Sequence, residues 1–176
     1  NHQTGRTVPL GTRAVVAMSG TFGYELDLNR LTPEECDAVR GQIEQFKRWA
    51  GLIGGGDYFR LAPPETGDFT AWQFTAPDRR EALLNLVVTH PRANPRCAHV
   101  CLRGLDPDAR YRVDELVFAG CSGMGAPLRQ RAAGVLQNGT FSGSFLMRAG
   151  VTLPQLFGDC PAVQIHFTLA EEATQA

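Results

Sequence analysis

The chain has 176 residues, of which 43% are hydrophobic, and this composition suffices for a well-packed core. Its 17 basic and 18 acidic residues leave a net charge of −1 without a dense basic run, which argues against nucleic acid or an anionic membrane as a partner. No apolar run approaches the roughly 18 residues that a membrane-spanning helix needs. Because the first residue is Asn1 rather than Met, we expect the natural start of the protein to lie upstream.

The first predicted elements are a short helix and a strand. Thr7 can cap the helix, Pro9 suits its first turn, and apolar residues continue it from 10 to 18 until Gly20 ends it. The aromatic residues within 21–28 then favour a strand over that range.

A second, longer helix is predicted from Thr32. Thr32 can cap it, Pro33 fits its first position, and Glu35 completes a capping box. Apolar residues then recur at spacings of three and four, at Cys36, Val39, Ile43, Phe46, Ala50 and Ile53. The glycines at 54–56 end the helix; they lack the lysine and hydroxyl residue of a phosphate-binding loop and follow a helix rather than precede one.

From residue 57 the sequence changes to short runs rich in β-branched and aromatic residues, divided by Pro, Gly, Asp and Asn. The predicted strands are 58–62, 69–76, 82–90, 98–103, 111–113 and 163–169. Such spacing favours an antiparallel sandwich, with a tight turn at Gly104–Asp108 and a loop over 115–138. The fold class is therefore α+β.

The cysteines and histidines do not suggest a metal or a cofactor. Five cysteines without a Cys-x-x-Cys pair are a poor disulfide framework and a poor zinc site, and the four histidines lack ligand spacing. We predict that Cys97 and Cys101 are buried small hydrophobes rather than a redox pair. A reducing, cytoplasmic location fits this cysteine usage best.

The opening residues resemble a known family. The blocks NHQTGR (1–6) and GTFGYELDL (20–28) resemble the end of the catalytic barrel in the α-galactosidases of glycoside hydrolase family 36. Residues 56–61, 104–113 and 141–147 are similar to successive landmarks of that family's C-terminal β-sandwich. The resemblance implies that residues 1–54 are the terminal helix-strand-helix of a (β/α)₈ barrel and that 57–170 are an antiparallel β-sandwich. Cys160-Pro161 and the 115–138 loop depart from the family pattern.

The resemblance also implies an activity. The family consists of retaining enzymes that hydrolyse terminal α-galactosyl residues of oligosaccharides such as raffinose or melibiose, without a metal or cofactor. Its nucleophilic aspartate lies in a lysine-x-aspartate-x-asparagine motif and its acid/base aspartate lies two barrel strands later. Neither motif occurs here, where Lys47 is the sole lysine. We therefore expect the partner of this chain to be a missing N-terminal catalytic region, and the chain alone to be inactive.

Five residues are candidates for the substrate pocket or its support. His2, Gln3 and Arg6 would lie in a loop near the catalytic mouth, where they either contact the pocket or anchor the loop. Tyr24 and Asp27 would lie on the last barrel strand, whose C-terminal end faces the catalytic side. Asp27 has structural alternatives, since it could cap the next loop or pair with Arg13. These alternatives stay open.

A second function class is a non-catalytic β-sandwich that binds sugar or assembles with a neighbouring barrel. Trp72 and Tyr58 could form a sugar-stacking platform, although core packing of both rings is the simpler prediction. The apolar stripe of the second helix must be covered, either by the chain's own sandwich or by a second copy in a homo-oligomer.

Overall fold

The structure, a computed structural model, describes residue 3 and the ranges 5–65 and 67–170. Within these residues the helices are α1 (Leu10–Ala17), α2 (Pro33–Gly55), α3 (Ala126–Gln137) and α4 (Gly143–Arg148), and Leu28–Arg30 form a 3₁₀ turn. The strands are β1 (Asp57–Ala62), β2 (Phe69–Thr75), β3 (Glu81–Val88), β4 (His99–Val100), β5 (Arg110–Ala119), β6 (Thr140–Ser142), β7 (Val151–Thr152) and β8 (Ala162–Leu169).

Six strands form one sheet in the order β1-β2-β3-β8-β5-β6, and β4 pairs with β7 in a second, two-stranded sheet. Neighbouring strands in both sheets run antiparallel. The predicted α+β class and the predicted antiparallel pairing are therefore confirmed.

The central strands of the large sheet are buried on both faces. On one face Leu83 and Val87 of β3 pack with Trp49 of α2 and with α1. On the other face Leu84 and Leu86 pack with residues of β4, β7, α3 and α4. A strand covered on both faces reads as an apolar run instead of a clean alternation, which explains the irregular pattern of β2 and β3 in the sequence.

The predicted start of α1 is wrong. The helix begins at Leu10, and its N-cap is Pro9, which has an extended backbone and no side-chain cap. The first hydrogen bond of the helix runs from the amide of Arg13 to the carbonyl of Pro9, so Thr7 lies too early in the chain to serve as its cap.

The predicted strand over 21–28 is also absent, because no strand of the described residues pairs with it. Its side chains nevertheless alternate in exposure: Phe22, Tyr24 and Leu26 are half-buried, whereas Glu25 and Asp27 are exposed. The segment thus has the orientation of a half-buried strand but lacks the backbone hydrogen bonds that define one.

Helix α2 begins and ends where the sequence predicts. Thr32 and Glu35 form both hydrogen bonds of the capping box, and the amide of Gly56 caps the last turn. The buried face is rotated from the predicted stripe, since Trp49 and Leu52 are the residues that pack on the sheet while Phe46 and Ile53 flank them. The chain therefore covers this half of α2 with its own sheet.

The loop predicted at 115–138 is instead the end of β5 followed by α3. Gly125 has a φ of 74° at the N-cap of α3, and a proline occupies the first turn, so the residues interpreted as loop signals are a helix start. Of the strand predicted over 98–103, the two residues of β4 form a strand, because the partner strand β7 is also two residues long.

The tight turn at Gly104–Asp108 is confirmed. Gly104 has a φ of 71°, and the Asp106 carboxylate accepts a hydrogen bond from the amide of Asp108 at 3.0 Å. The hydroxyl of Tyr111 accepts from the amide of Asp106 at 3.0 Å and donates to the carbonyl of Arg79 at 2.6 Å, which ties the turn to the β2–β3 hairpin.

Candidate functional site

The residues before α1, together with α1, contact a turn at Phe157–Cys160 that precedes β8 and is called here the 157–160 turn. The guanidinium of Arg6 donates to the carboxylate of Asp159 and to the sulfur of Cys160, both at 2.8 Å. The hydrogen bond to Asp159 raises the pKa of the Arg6 guanidinium above its ordinary value, so this cation stays charged at every physiological pH. A charged donor therefore bridges the two parts of the chain.

Two backbone features shape this contact. Cys160 has a φ of 52°. Among the described residues other than glycine, Cys160 and Arg79 are the two with a positive φ. The conformation turns the carbonyl of Cys160 toward Thr12, whose buried hydroxyl donates to it at 2.7 Å. Gly120 lies against Thr12 and Pro9 with a φ of 63°, and a side chain there would overlap the Thr12 hydroxyl. Strained backbone of this kind persists where the surroundings hold it.

The Cys160 thiol is not an activated nucleophile. Burial raises its pKa, Asp159 adds to the rise, and the positive charge of Arg6 opposes it. A thiol with a raised pKa is protonated at neutral pH and reacts slowly. Its contact with Arg6 is therefore one of packing and positioning.

Tyr24 attaches the 21–28 segment to α2. Its hydroxyl donates to the side-chain carbonyl of Gln42 at 2.5 Å, and its ring meets the edge of Phe22 with centroids 5.2 Å apart. Burial raises the pKa of the Tyr24 phenol, while the charge of Arg13 opposes the rise, so Tyr24 is a neutral hydrogen-bond donor.

Asp27 has a structural partner. Its carboxylate accepts from the backbone amide and the side-chain amide of Asn29, each at 3.0 Å, and it caps the 3₁₀ turn. The side chain is exposed.

One cavity of about 180 Å³ lies between α1 and the 21–28 segment. It is lined by Tyr24 and Arg13, whereas the described candidates Gln3, Arg6 and Asp27 do not line it. Gln3 is exposed, and His2 lies outside the described residues. The role of these five residues at a substrate pocket stays a prediction.

The two aromatic candidates differ in environment. Trp72 lies in the core, 8% exposed, and its indole N–H donates to the hydroxyl of Ser19 at 2.7 Å, which confirms the core prediction for this residue. Tyr58 is 53% exposed and touches Phe74 edge-on, so the prediction that it packs in the core is wrong. It lies on β1, an edge strand of the large sheet.

Sequence reasoning missed a buried histidine between two carboxylates. His166 in the middle of the sheet approaches Glu81 at 3.0 Å and Asp114 at 3.5 Å, and its ring lies 5.8 Å from that of Trp49. No local sequence signal marks it, because the cluster forms only when β8 lies between β3 and β5, which carry the two acids. The cluster joins three strands and α2.

The described ranges contain no group of three or more His, Cys, Asp or Glu residues that could hold a metal ion. All five cysteines are free, and Cys97 is exposed rather than buried as predicted, since it lies in the loop before the shortened β4. None of the helices in the described part of the chain has the length and hydropathy needed to cross a membrane.

Replacing Tyr24 with phenylalanine should lower the free energy of unfolding by about 1 kcal/mol, because the hydrogen bond to Gln42 is lost. Urea unfolding measures this change. Tyr58→Phe on the exposed edge strand is the matched control and should be near neutral. Equal unfolding midpoints for the two variants would show that Tyr24 does not anchor the segment.

Two family models match the chain: "Melibiase" over residues 1–56 and "Glycosyl hydrolase family 36 C-terminal domain" over residues 69–167. The bifunctional α-galactosidase/sucrose kinase AgaSK of Mediterraneibacter gnavus is 39% identical over 173 residues, which are 98% of this chain and 16% of the relative. The α-galactosidase AgaA of Geobacillus stearothermophilus is 35% identical, over 90% of this chain and 19% of the relative.

Solved structures agree with these matches. The galactosidase domain of AgaSK superposes with a TM-score of 0.81 at 36% identity, over 97% of this chain and 21% of that one. A variant of AgaA in complex with raffinose superposes with a TM-score of 0.80 at 32% identity, with the same two coverages of 97% and 21%. The chain thus spans about a fifth of the proteins that it resembles.

Proposed function

We propose that this chain, which belongs to glycosyl hydrolase family 36, forms the C-terminal part of a retaining α-galactosidase. The observation that carries the proposal is the order of the two family matches, the first over 1–56 and the second over 69–167. The raffinose bound to the AgaA variant supports a terminal α-galactosyl residue of an oligosaccharide as the substrate.

The division of the chain follows from this proposal. Residues 1–54 would be the last part of a (β/α)₈ barrel and residues 57–170 the C-terminal sandwich. The extended segment 21–28 supports this division, because its side chains alternate like those of a strand while no described strand pairs with it. In a complete barrel its neighbours would be strands outside this chain.

The mechanism needs two carboxyl groups. In a retaining glycosidase they lie about 5–5.5 Å apart, and one attacks the anomeric carbon while the other protonates the leaving oxygen. We propose that both belong to the region preceding this chain. Arg6 and Gln3, with His2, would line or brace the mouth of the pocket, and Tyr24 and Asp27 would hold the strand beside it.

A cytoplasmic location is part of the proposal, and the five free thiols support it. Association into a homo-oligomer stays a prediction. The alternative function, a sandwich that binds sugar by itself, is less well supported, because Trp72 lies in the core and a stacking platform needs an open ring face.

The purified 176-residue chain should not hydrolyse a chromogenic α-galactoside above the uncatalysed background, because neither catalytic carboxylate motif is present. Release of nitrophenol at neutral pH measures this activity. The control is the longer protein encoded by the same reading frame, which should be active. If the isolated chain hydrolyses the substrate and Asp27→Asn abolishes the reaction, the active site lies here instead.

A further inference from the structure

The 157–160 turn contacts the segment that precedes α1, and α1 itself, at three points in all. Arg6 donates to Asp159 and to Cys160, and the hydroxyl of Thr12 donates to the carbonyl of Cys160. One side of each contact belongs to residues 1–56 and the other to residues 69–167, so the contacts join the two family-matched parts.

The Arg6–Asp159 pair contributes little to stability. The two side chains are 47% and 53% exposed, and exposed ion pairs are weak because water screens them. The backbone around the pair is nevertheless closely constrained. Gly158 has a φ of 142°, and a side chain there would overlap the carbonyl of Gly120, while Cys160 keeps a left-handed conformation. The Arg6–Asp159 pair therefore fixes the direction of the Arg6 side chain more than it raises the free energy of unfolding.

We infer that Asp159 and Cys160 are positioning residues, through which the C-terminal part sets the place of Arg6 at the catalytic mouth. This inference rests on the proposed function, because the mouth itself belongs to the longer enzyme. Asp159 orients the guanidinium by accepting a hydrogen bond from it, and the sulfur of Cys160 accepts a second one. The C-terminal part thereby acts on the active site without contributing a catalytic group.

The first test measures the contact in the 176-residue chain itself. Iodoacetamide labels thiols, and mass spectrometry of the peptides reports Cys160 and the exposed Cys97 separately. Asp159→Ala should speed the labelling of Cys160 about two- to fivefold relative to Cys97, as expected for the loss of an exposed ion pair. Arg92→Ala is the matched control, because it breaks the comparable Arg92–Asp68 pair at 2.7 Å elsewhere on the surface. Equal labelling of Cys160 in wild type and Asp159→Ala would overturn the inference.

The second test uses the longer enzyme. Asp159→Ala should lower kcat/KM for raffinose about tenfold, since small misplacements of positioning groups reduce rates strongly, while the melting temperature stays within about 2 °C. Asp159→Glu should recover part of the loss, and Arg92→Ala should leave both quantities unchanged. A purely structural role would lower the melting temperature without changing kcat/KM at 25 °C, and that result would overturn the inference.

Failure of the inference and failure of the proposed function give different results in these tests. An active wild-type enzyme whose kcat/KM is insensitive to Asp159→Ala contradicts the inference and leaves the proposed function standing. A wild-type enzyme that releases no galactose contradicts the proposed function, and the inference falls with it even if the labelling of Cys160 changes.

Discussion

Replacing Gly143 with alanine is expected to lower the free energy of unfolding by about 3 kcal/mol, because a side chain at this position overlaps the carbonyl of Asp106. Neither backbone can yield easily. The amide of Gly143 donates to the carbonyl of Ala109 at 2.9 Å, and the amide of Asp106 is held by the buried Tyr111. The overlap therefore displaces the turn, the start of α4 and the Tyr111 contact together.

Urea unfolding followed by circular dichroism measures the loss. Gly41→Ala is the matched control, because Gly41 lies on the exposed side of α2 with no atom within 4 Å of the added carbon. That variant should gain up to about 1 kcal/mol, since alanine is the better helix former. A Gly143→Ala chain as stable as Gly41→Ala would show that the turn does not pack against α4 as described.

Replacing Trp49 with alanine is expected to lower the free energy of unfolding by about 3–5 kcal/mol, the range for large aromatic residues in a core. Trp49 is 2% exposed and packs with Leu52, Leu83 and Trp72 between α2 and the sheet. Loss of the indole would leave a cavity between α2 and the sheet and would remove the packing of Trp49 on Leu83 and Trp72.

The same variant decides how α2 is covered. Lys47→Ala, on the exposed side of the helix two residues earlier, serves as the control and should change stability by less than about 0.5 kcal/mol. If α2 instead packed on a second copy, Trp49→Ala would reduce the mass in solution measured by light scattering, with a smaller effect on unfolding of the monomer.

Local chemistry made much of the fold predictable. Both ends of α2 were predicted correctly from the capping box of Thr32 and Glu35 and from the glycines at 54–56, because caps act within one turn of the chain. The Gly104–Asp108 turn was predicted correctly for the same reason, because Asp106 bonds to the amide of Asp108, two residues away. The antiparallel sheet followed from the spacing of short apolar runs.

The errors arose where tertiary contacts decide the outcome. The rotated face of α2 depends on where the sheet lies, and the 21–28 segment cannot be a strand without a neighbour to bond. The residues at 125–127 were interpreted as loop signals, whereas they form the start of α3. Helix α3 packs against β5, which pairs along its length with β8.

The candidate site was predictable only in part. The sequence located the NHQTGR block but not its contact, because Arg6 and Asp159 are 153 positions apart. The sequence could not place His166 beside the two acids, because on the neighbouring strands it lies opposite Leu83 and Glu115. Glu81 is a diagonal neighbour of His166, and Asp114 lies at a register shift of β5. Trp72 and Tyr58 lie on paired strands with similar sequence signals, and the position of β1 at the sheet edge separates them.

The central claim is that this chain completes a retaining α-galactosidase whose catalytic carboxylates lie outside it. Proton NMR of the first galactose released from a nitrophenyl α-galactoside by the longer protein tests it most directly. We expect the α anomer to appear first and the isolated 176-residue chain to release no galactose. Initial release of the β anomer, or turnover by the isolated chain, would contradict it.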